Sequence, residues 1–591
     1  MGDGVHLRRR RRRAARVCHR HHSDGRPPPP RGARGAVSEA GEEPGGKAQR
    51  SVGRATALLA SGTMVSRVLG FVKAIVLAQT IGQVASAAAD AFAVANQLPN
   101  NIYALIAGGV LGAVLVPQIV RAGFHDDGGA SFINKLVTLG ITVFLGVTVL
   151  ATLAAPVLVT LYVQQADDGG RGFSSEALAL ATVFAYWCLP QIFFYALYSL
   201  LGEVLNARGA FGPFAWAPAL NNVVAIAGLI AFQLLFGGAE VNSSVDVWTT
   251  ERIVVLAGSA TLGIAAQALV LLFFWRRAGI RYRPDFHWRG VGLAKTGRSA
   301  GWVFAMILVT QIAGLVQTRT ASLAAAEGAG AATLGSSWLI FMLPHSVIAV
   351  SIATVFFTRM SANAGAGDIP AVKADVSASL RAIGLIIMFA AVVLIVVAAP
   401  FARIFESRHD NVLAMAAVIA VYMIGLAPFS AVFVLQRTFY ALEDTRTVFF
   451  VEVAKSALFI VGFVACTALP LEWIGVGIAA VSSLTFYAQF ALTFLVLRRK
   501  IGALGGRLLL VRHLQYLLAA GISAVAGGIT LRTLGGFEER AFALSTVPGA
   551  IVSMALVAII MGVFYAGVLL LLRNPDVALV RDVVLRRIRR S

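Results

Sequence analysis

Long apolar runs recur along this 591-residue chain and restrict what it can fold into. A helix needs ~20 residues to cross ~30 Å of hydrocarbon. Only 13% of the residues are charged, against roughly 25% in soluble domains, and the mean hydropathy is +0.77. Because unpaired backbone groups are not tolerated in lipid, the runs predict a bundle of membrane-spanning helices. Four clear examples are Ala57–Ile81, Leu136–Val163, Ile253–Trp275 and Leu380–Pro400.

The breaks between the runs predict an all-α polytopic membrane protein with about 14 transmembrane helices in two lobes around a central cavity. The second and third predicted helices are longer than a bilayer requires, so we expect them to tilt or to extend beyond it. The predicted spans are 56–81, 87–121, 131–163, 176–206, 213–237, 252–276, 298–324, 334–360, 378–402, 411–440, 447–469, 473–498, 513–532 and 543–572.

Basic residues are distributed unevenly, and the formal net charge is +21. If the N-terminus is cytoplasmic, the cytoplasmic loops carry about three times as many Lys and Arg residues as the outer loops. This asymmetry predicts a multi-pass protein of the bacterial cytoplasmic (inner) membrane with both termini cytoplasmic. Because orientation accounts for the charge, nucleic-acid binding is not expected.

We expect the chain to divide into five parts. Its first residues include six consecutive arginines and four consecutive prolines, with too few apolar residues for a core. The richest basic loop lies near the middle, as in transporters built from two halves. The parts are a disordered basic cytoplasmic tail (1–50), an N-terminal transmembrane lobe (51–276), a basic cytoplasmic loop (277–297), a C-terminal transmembrane region (298–572) and a basic cytoplasmic tail (573–591).

Ionisable side chains within spanning helices are expensive, by ~3 kcal/mol on insertion scales, and usually face a cavity or a partner. Arg67 and Lys73 lie in the first predicted helix. Their six-residue spacing gives roughly 600° of rotation, or about 240° net, so they are not stacked but can border one broad cavity. Asp90 begins the second helix, where it can pair with either cation.

Further candidates for a substrate-binding surface lie in other helices. Arg319 lies deep in the seventh predicted helix, eight residues after Gln311 and close to the same face. Arg437 is near the cytoplasmic end of the tenth helix, and Asn100 follows a proline in the second. The alternative is structural: arginines snorkel to an interface or pair with backbone carbonyls, and amides satisfy the carbonyl freed by a proline.

Other polar residues favour a structural interpretation. Glu452 and Lys455 are three apart on one helix face and are predicted to neutralise each other. His345, which follows Pro344, is predicted to be a hydrogen-bonded packing residue rather than a proton relay.

No pattern indicates an enzyme. Residues 290–296 imitate a phosphate-binding loop, but alanine replaces the glycine before Lys295 and no buried strand precedes it. The acidic pairs at 126–127 and 167–168 lack the spaced partners of a Mg²⁺ site, and the three cysteines lack metal or redox spacing. We therefore expect no catalytic residues, no metal and no cofactor.

Three blocks of sequence carry a resemblance to a known family. They are SRVLGFVK at 66–73 followed by ADAF at 89–92 and LPN at 98–100, LNARG at 205–209, and RTFYALEDTRT at 437–447. Together they resemble the MurJ (MviN) family of lipid II flippases, in the MOP exporter superfamily, and the similarity extends over most of 55–573.

The resemblance implies 14 helices and two lobes enclosing a cationic cavity. It also implies alternating access that carries an undecaprenyl-diphosphate-linked peptidoglycan precursor outward. Arg67 and Lys73 fall where the family places substrate-binding cations, with Lys in place of the usual Arg, and Asp90 matches the acidic position. The expected partners are this precursor, membrane lipids and cell-wall synthesis proteins.

The chain departs from the family pattern at several cavity positions. Tyr103, Ala104 and Gly108 stand where well-studied members have an arginine pair and an acidic residue. Those members also carry an arginine just before a proline in the eighth helix, whereas the residues near Pro344 here are Trp338 and Leu339. Arg319 is predicted to compensate for this thinner positive charge. The departures, with the Ala-, Arg- and Gly-rich composition, favour a divergent branch of actinobacterial type.

Three alternatives remain open from the residues alone. One is a related exporter of another polyprenyl-linked glycan or a drug. Another is a membrane glycosyltransferase or phosphotransferase, which needs an interfacial carboxylate or His site that the sequence lacks. The third is a non-transporting scaffold for cell-wall enzymes, with the basic tail as its docking arm.

Overall fold

The computed structural model describes residues 44–106, 130–166, 170–277, 279, 281–287, 293–325 and 327–577. The chain separates into two units, Met1–Arg54 and Ala55–Ser591. Helix α1 begins at Pro44, so residues 44–50 of the predicted disordered tail are helical. The rest of that tail, the acidic pairs at 126–127 and 167–168, and residues 288–292 and 578–591 lie outside the described residues.

Every named element of the described first half, residues 55–277, is a helix; the only pairing of extended residues there is a single bridge between Gln165 and Phe173. The helices are α1 (Pro44–Ile81), α2 (Ala87–Ile106), α3 (Ala130–Leu153), α4 (Ala155–Tyr162), α5 (Ser175–Cys188), α6 (Gln191–Ala207), α7 (Phe211–Phe236), α8 (Ala239–Asn242) and α9 (Thr250–Arg277).

The described second half, residues 293–577, is helical in the same way. A 3₁₀ turn at Ser322–Ala324 and a π-helical turn at His345–Ala349 interrupt it. The helices are α10 (Leu293–Ala321), α11 (Ala331–Pro344), α12 (Val350–Gly365), α13 (Ile369–Val396), α14 (Ala398–Arg403), α15 (His409–Ile424), α16 (Leu426–Ala441), α17 (Thr445–Cys466), α18 (Leu471–Ile501), α19 (Gly506–Thr533), α20 (Phe542–Ser545) and α21 (Val547–Leu571).

The all-α membrane fold is confirmed, whereas the predicted count of about 14 spans is not. Within the described residues, 11 helices are long and apolar enough to cross a membrane, or up to 12 if a bent pair forms one span. That pair is α15 and α16, bent by 40° at Gly425. Helices α2 and α10 are also long, with 20 and 29 residues, and are not among the 11 found within the described residues.

Separate apolar cores form in the two halves. Phe184 and Phe232 are fully buried in the first half, and Phe341 and Phe439 in the second. The core of the second half also takes in Val84, from the turn after α1. The end of α1 therefore packs with the second half, although α1 belongs to the first half in sequence.

Candidate functional site

A cavity of about 550 Å³ lies where α1, α2 and α11 meet. Arg67 and Lys73 both lie in its wall, together with polar groups of Gln83, Asn96 and Ser336. No acidic residue is among the described residues that line it. We call it the cation cavity, because its two positive charges suit an anionic ligand.

The periodicity of α1 brings both cations to this wall. Residues three or four apart share one helix face, and α1 contributes positions 67, 70, 73, 74, 77 and 81. Lys73 also lines a neighbouring cavity of about 60 Å³, which it shares with Gln191 and Asn221. The six-residue spacing thus places the cations on adjoining parts of one wall, as predicted.

Helix α1 is held from both halves of the chain. The Asn222 amide of α7 donates to the Ser66 carbonyl oxygen at 2.8 Å. In the second half, the ring of Phe71 makes edge contacts with Phe401 and Phe405, with centroids 5.9 and 5.8 Å apart. The cations are therefore fixed in a helix that lies between the two halves.

Asp90 does not line the cation cavity, and no ion pair joins it to Arg67 or Lys73 among the described residues. Its carboxylate is fully buried and its Oδ1 accepts a hydrogen bond from the Ala332 N–H at 2.8 Å, in the first turn of α11. A Cβ at Gly330 would lie 2.0 Å from the carboxylate, so this approach requires glycine. Asp90 thus positions α11, and the predicted pairing with a cation is wrong.

Arg319 joins two helices instead of facing the cation cavity. Its Nη1 donates to three carbonyl oxygens at the end of α4, where a helix leaves its last carbonyls without partners. This is the structural alternative raised by the sequence, and it does not supply the compensating charge that was expected. The acceptors are Thr160, Leu161 and Val163, at 3.0, 3.1 and 3.0 Å.

Gln311 and Asn100 also lie outside the cation cavity. The Gln311 amide donates to the Asn101 carbonyl oxygen at 2.8 Å, and so joins α10 to α2 two residues after Pro99. Asn100 is exposed and lines none of the cavities found in the described residues. The structure therefore does not bring these two residues to Arg67 and Lys73.

Arg437 lies on α16 among aromatic rings. Its guanidinium carbon is 4.9 Å from the ring centroid of Phe433 and 5.3 Å from that of Phe357. Such contacts stabilise a cation by ~0.5–2 kcal/mol according to exposure. Arg437 joins α16 to α12 through these contacts, and it is not in the wall of the cation cavity.

His345 has the packing role that the sequence predicted. Its ring nitrogen Nδ1 lies 3.0 Å from the Ser430 hydroxyl oxygen, and its ring packs edge-on against Phe429 and Phe433. It lies in the π-helical turn that follows Pro344, where the proline supplies no backbone donor.

A second cavity of about 390 Å³ lies on the other side of α11, and the sequence did not predict it. We call it the aromatic chamber. It has two lining residues in common with the cation cavity, Ala331 and Gly335. Its wall is formed by Gln97, Thr310, Ala313, Gly314, Gln317, Thr318, Ala321, Ala331, Leu334, Gly335, Trp338, Tyr422, Phe429, Lys455, Phe459, Phe463, Ser482 and Phe486.

The charge of Lys455, in the chamber wall, is balanced within its own cluster. Lys455 forms an ion pair with Glu452, as predicted. The Oε1 atom of Glu452 also accepts hydrogen bonds from the amides of Gln436 and Gln489, each at 2.7 Å. Polar side chains from α16, α17 and α18 thus satisfy one another beside the chamber.

At one end of the cation cavity, where Gln83 lies in the wall, the α1–α2 turn contacts the second half. The Oε1 atom of buried Glu406 accepts hydrogen bonds from the backbone N–H groups of Gln83 and Val84, at 3.0 and 2.7 Å. The Asn411 amide donates to the Val84 carbonyl oxygen at 3.2 Å. We call these four residues the latch.

The turn that carries the latch is fastened to α11 as well. The Thr333 hydroxyl donates to the Gln83 carbonyl oxygen at 3.0 Å, and the Ser336 hydroxyl donates to the Gln83 side-chain oxygen at 2.8 Å. The turn opens at Gly82, whose φ of +84° is a backbone conformation that favours glycine. The turn is therefore held by a network of hydrogen bonds and not by one contact.

The aromatic chamber and the latch could not be found by searching for charges in apolar helices. The chamber brings together rings that are far apart in sequence, such as Trp338 and Phe486. The latch depends on Glu406, in a short loop that reads as ordinary solvated sequence. The one available signal was the group of amides around Pro99, of which Asn96 lines the cation cavity and Gln97 the aromatic chamber.

Comparison with known proteins supports one family. The family model described as lipid II flippase MurJ matches residues 77–552. Probable lipid II flippases MurJ from Haemophilus influenzae and Thermotoga maritima are 27% and 26% identical, covering 72% and 74% of this chain and 82% and 84% of those proteins.

Solved structures share the fold at lower identity. A lipid II flippase MurJ in an inward closed conformation matches with a TM-score of 0.66 at 18% identity, over 87% of this chain and 100% of that one. An inward-facing multidrug resistance MATE family transporter of the MOP superfamily matches with a TM-score of 0.55 at 19% identity, over 76% and 98%.

Proposed function

The chain belongs to the lipid II flippase MurJ family, and from this premise we propose that it carries lipid II from the inner to the outer leaflet of the cytoplasmic membrane by alternating access. Its substrate is then a lipid-linked peptidoglycan precursor, and its role is in cell-wall biogenesis. A flippase moves its substrate without breaking a covalent bond, so we assign the chain as a transporter and not as an enzyme.

The cation cavity supplies the physical step that such transport needs. A diphosphate cannot cross ~30 Å of hydrocarbon unaided, because burying its charge costs far more than thermal energy. Arg67 and Lys73 line the cation cavity, which has no acidic lining residue among those described. There they can replace water around the diphosphate oxygens. This pair of cations in one wall is the observation that carries the proposal.

The latch gives this transport a closed side. With a cytoplasmic N-terminus, α1 runs outward, and the turn that carries Gln83 and Val84 lies at the outer face. The latch would then keep the outer end closed while substrate enters from the cytoplasmic side. Opening it would release the headgroup outward, and we propose the membrane potential, at ~2.3 kcal/mol per charge per 100 mV, as the driving force.

The test is a lipid II accessibility assay in cells depleted of the native protein and complemented with variants. We expect Arg67→Ala and Lys73→Ala each to lower outward lipid II by about 10- to 100-fold, since a charge-assisted hydrogen bond contributes ~1.5–3 kcal/mol. Lys73→Arg should retain most activity, because it keeps the charge.

The matched control is Arg499→Ala, which removes an exposed cation at the end of α18, outside the cavity walls. It should leave outward lipid II unchanged. Full activity in both Arg67→Ala and Lys73→Ala, at normal protein level, would refute the assigned role of the cation pair. A depleted strain with normal outward lipid II would refute the proposed function itself.

A further inference from the structure

The aromatic chamber lies directly beside the cation cavity but has different chemistry. We propose that the two form one divided substrate site, in which the cation cavity holds the diphosphate and the aromatic chamber holds the sugar portion attached to it. This inference rests on the proposed function, and it assigns a carbohydrate subsite to walls that the cation pair does not reach.

The chamber wall offers flat aromatic surface in a rigid arrangement. The indole of Trp338 stacks on Phe341, with centroids 4.8 Å apart and planes 16° apart. It also makes an edge contact with Phe429 at 5.7 Å, and Phe429 lies 4.9 Å from Phe486. Aromatic rings provide a large apolar contact area at fixed geometry, which suits the C–H faces of a sugar ring.

Polar groups accompany the rings, as a carbohydrate requires. The Gln317 amide lies 3.4 Å from the Tyr422 hydroxyl oxygen, near the upper limit for a hydrogen bond. Thr310 and Ser482 add hydroxyl groups to the same wall. Ligand sites that combine predominantly apolar walls with a few placed donors and acceptors are specific for ligands of mixed character, and a sugar has both apolar faces and hydroxyl groups.

The charge balance argues against a second diphosphate site. Among the described lining residues of the chamber, Lys455 alone is charged, and its ion pair with Glu452 neutralises it. In contrast, Arg67 and Lys73 bring two positive charges to a cavity without an acidic lining residue among those described. A diphosphate therefore favours the cation cavity, and an uncharged sugar can occupy the chamber without electrostatic penalty.

Small residues of α11 separate the two spaces. Ala331 and Gly335 are one helical turn apart and line both cavities. A Cβ added at Gly335 would meet no heavy atom within 4 Å, so the space beside it is open. The two cavities therefore adjoin at these positions, where small side chains leave room for a headgroup whose diphosphate lies beside Arg67.

The experiment compares two ligands of the purified full-length protein in nanodiscs. Dissociation constants are measured for lipid II prepared without its pentapeptide and for undecaprenyl diphosphate, which has the same lipid and diphosphate but no sugar, so that the two ligands differ only in the sugars. Wild-type protein should bind lipid II more tightly. Trp338→Ala should weaken lipid II binding about tenfold and leave undecaprenyl diphosphate binding within about twofold, because only the sugar contact is lost.

Two further variants keep the outcome clear. Gly335→Leu fills the open space between the cavities, so it should reproduce the selective loss even if Trp338→Ala fails to fold. Trp302→Ala, which removes an exposed tryptophan outside both cavity walls, should change neither constant. Arg67→Ala should weaken both ligands.

The results separate the two proposals. Equal wild-type affinities for lipid II and undecaprenyl diphosphate, or equal losses for both ligands in Gly335→Leu, would overturn the carbohydrate subsite while leaving the flippase function standing. Binding of another polyprenyl-linked glycan in place of lipid II would overturn the proposed substrate, and a selective effect of Gly335→Leu on that glycan would still support the subsite.

Discussion

Replacing Glu406 by alanine tests whether the latch holds one end of the cation cavity closed. The Glu406 carboxylate accepts hydrogen bonds from two backbone N–H groups, those of Gln83 and Val84, and is 7% exposed. The alanine side chain has no hydrogen-bond acceptor, so both N–H groups would be buried without a hydrogen-bond partner. In an open state they would meet water, and the substitution therefore acts on the closed state.

The magnitude follows from the number and kind of bonds. A hydrogen bond to a charged group contributes ~1.5–3 kcal/mol, and an unsatisfied buried donor costs ~1–3 kcal/mol. Two unsatisfied donors would together cost about 2–6 kcal/mol. The closed state also buries the carboxyl group, and this burial raises the pKa of Glu406 against the hydrogen bonds of Val84, Asn411 and Gln83. Because burial offsets part of the gain, we expect the lower part of that range, about 2–3 kcal/mol, or roughly 30- to 150-fold in the ratio of closed to open molecules.

Distance measurement between spin labels can detect this change. Ser244 in the first half and Ser407, next to Glu406 in the second half, are both exposed, so cysteines at these positions can be labelled after the native cysteines are replaced. Glu406→Ala should add a population with a longer distance. Glu539→Ala, at an exposed glutamate that is not one of the latch residues, is the control. An unchanged distance distribution in Glu406→Ala would show that the latch does not hold this end closed.

The sign of the pH dependence is a further check on Glu406. A raised pKa means that the closed state binds the proton more tightly than an open state with the carboxyl in water. The closed state is therefore favoured below the ordinary glutamate pKa, and this contribution is lost as the pH rises through the raised pKa. The Glu406→Gln variant should stay closed at every pH, because glutamine keeps an acceptor oxygen and does not titrate. Opening of the wild-type protein on acidification would contradict this reasoning.

Three other substitutions test structural assignments. Arg319→Ala should lower thermal stability in detergent by about 2–4 kcal/mol, since three carbonyls lose their donor, and a folded protein with unchanged affinity for undecaprenyl diphosphate would confirm that Arg319 is structural. Asp90→Ala should reduce stability in the same assay by about 1–2 kcal/mol and Asp90→Asn by less, because asparagine keeps an acceptor for the α11 N–H; equal losses would contradict this. Gly228→Ala should lower the membrane yield, because its Cβ would lie 2.2 Å from that of Ser259, and adding Ser259→Gly should restore it.

Hydrophobicity and spacing were sufficient for the helical membrane fold and for one half of the candidate site. The apolar runs are long because a helix must cross the whole hydrocarbon layer, so the helices can be predicted directly from the sequence. Arg67 and Lys73 could be identified because a cation in an apolar helix is costly unless it faces a cavity or a partner. The angle between two residues of one helix also follows directly from their spacing in the sequence.

Contacts between distant segments could not be predicted in the same way. Arg319 and Arg67 are both arginines in apolar helices, but the three carbonyls that bind Arg319 belong to residues more than 150 positions earlier. The role of Asp90 likewise depends on its hydrogen bond with the first turn of α11, 242 positions away. The sequence of one helix indicates that a charged side chain needs a partner. Only tertiary packing decides whether that partner is a substrate or the end of another helix.

Helix α1 connects the cation cavity to the latch. Its middle carries Arg67 and Lys73, its Phe71 ring packs on the second half, and its last residues lead into the turn that Glu406 holds. A rotation that separates the halves must therefore either drag this helix along with one of them or bend it. In both cases the distance from the guanidinium group of Arg67 and the ammonium group of Lys73 to the opposite wall changes, so in the proposed mechanism release of the anion would accompany separation of the halves.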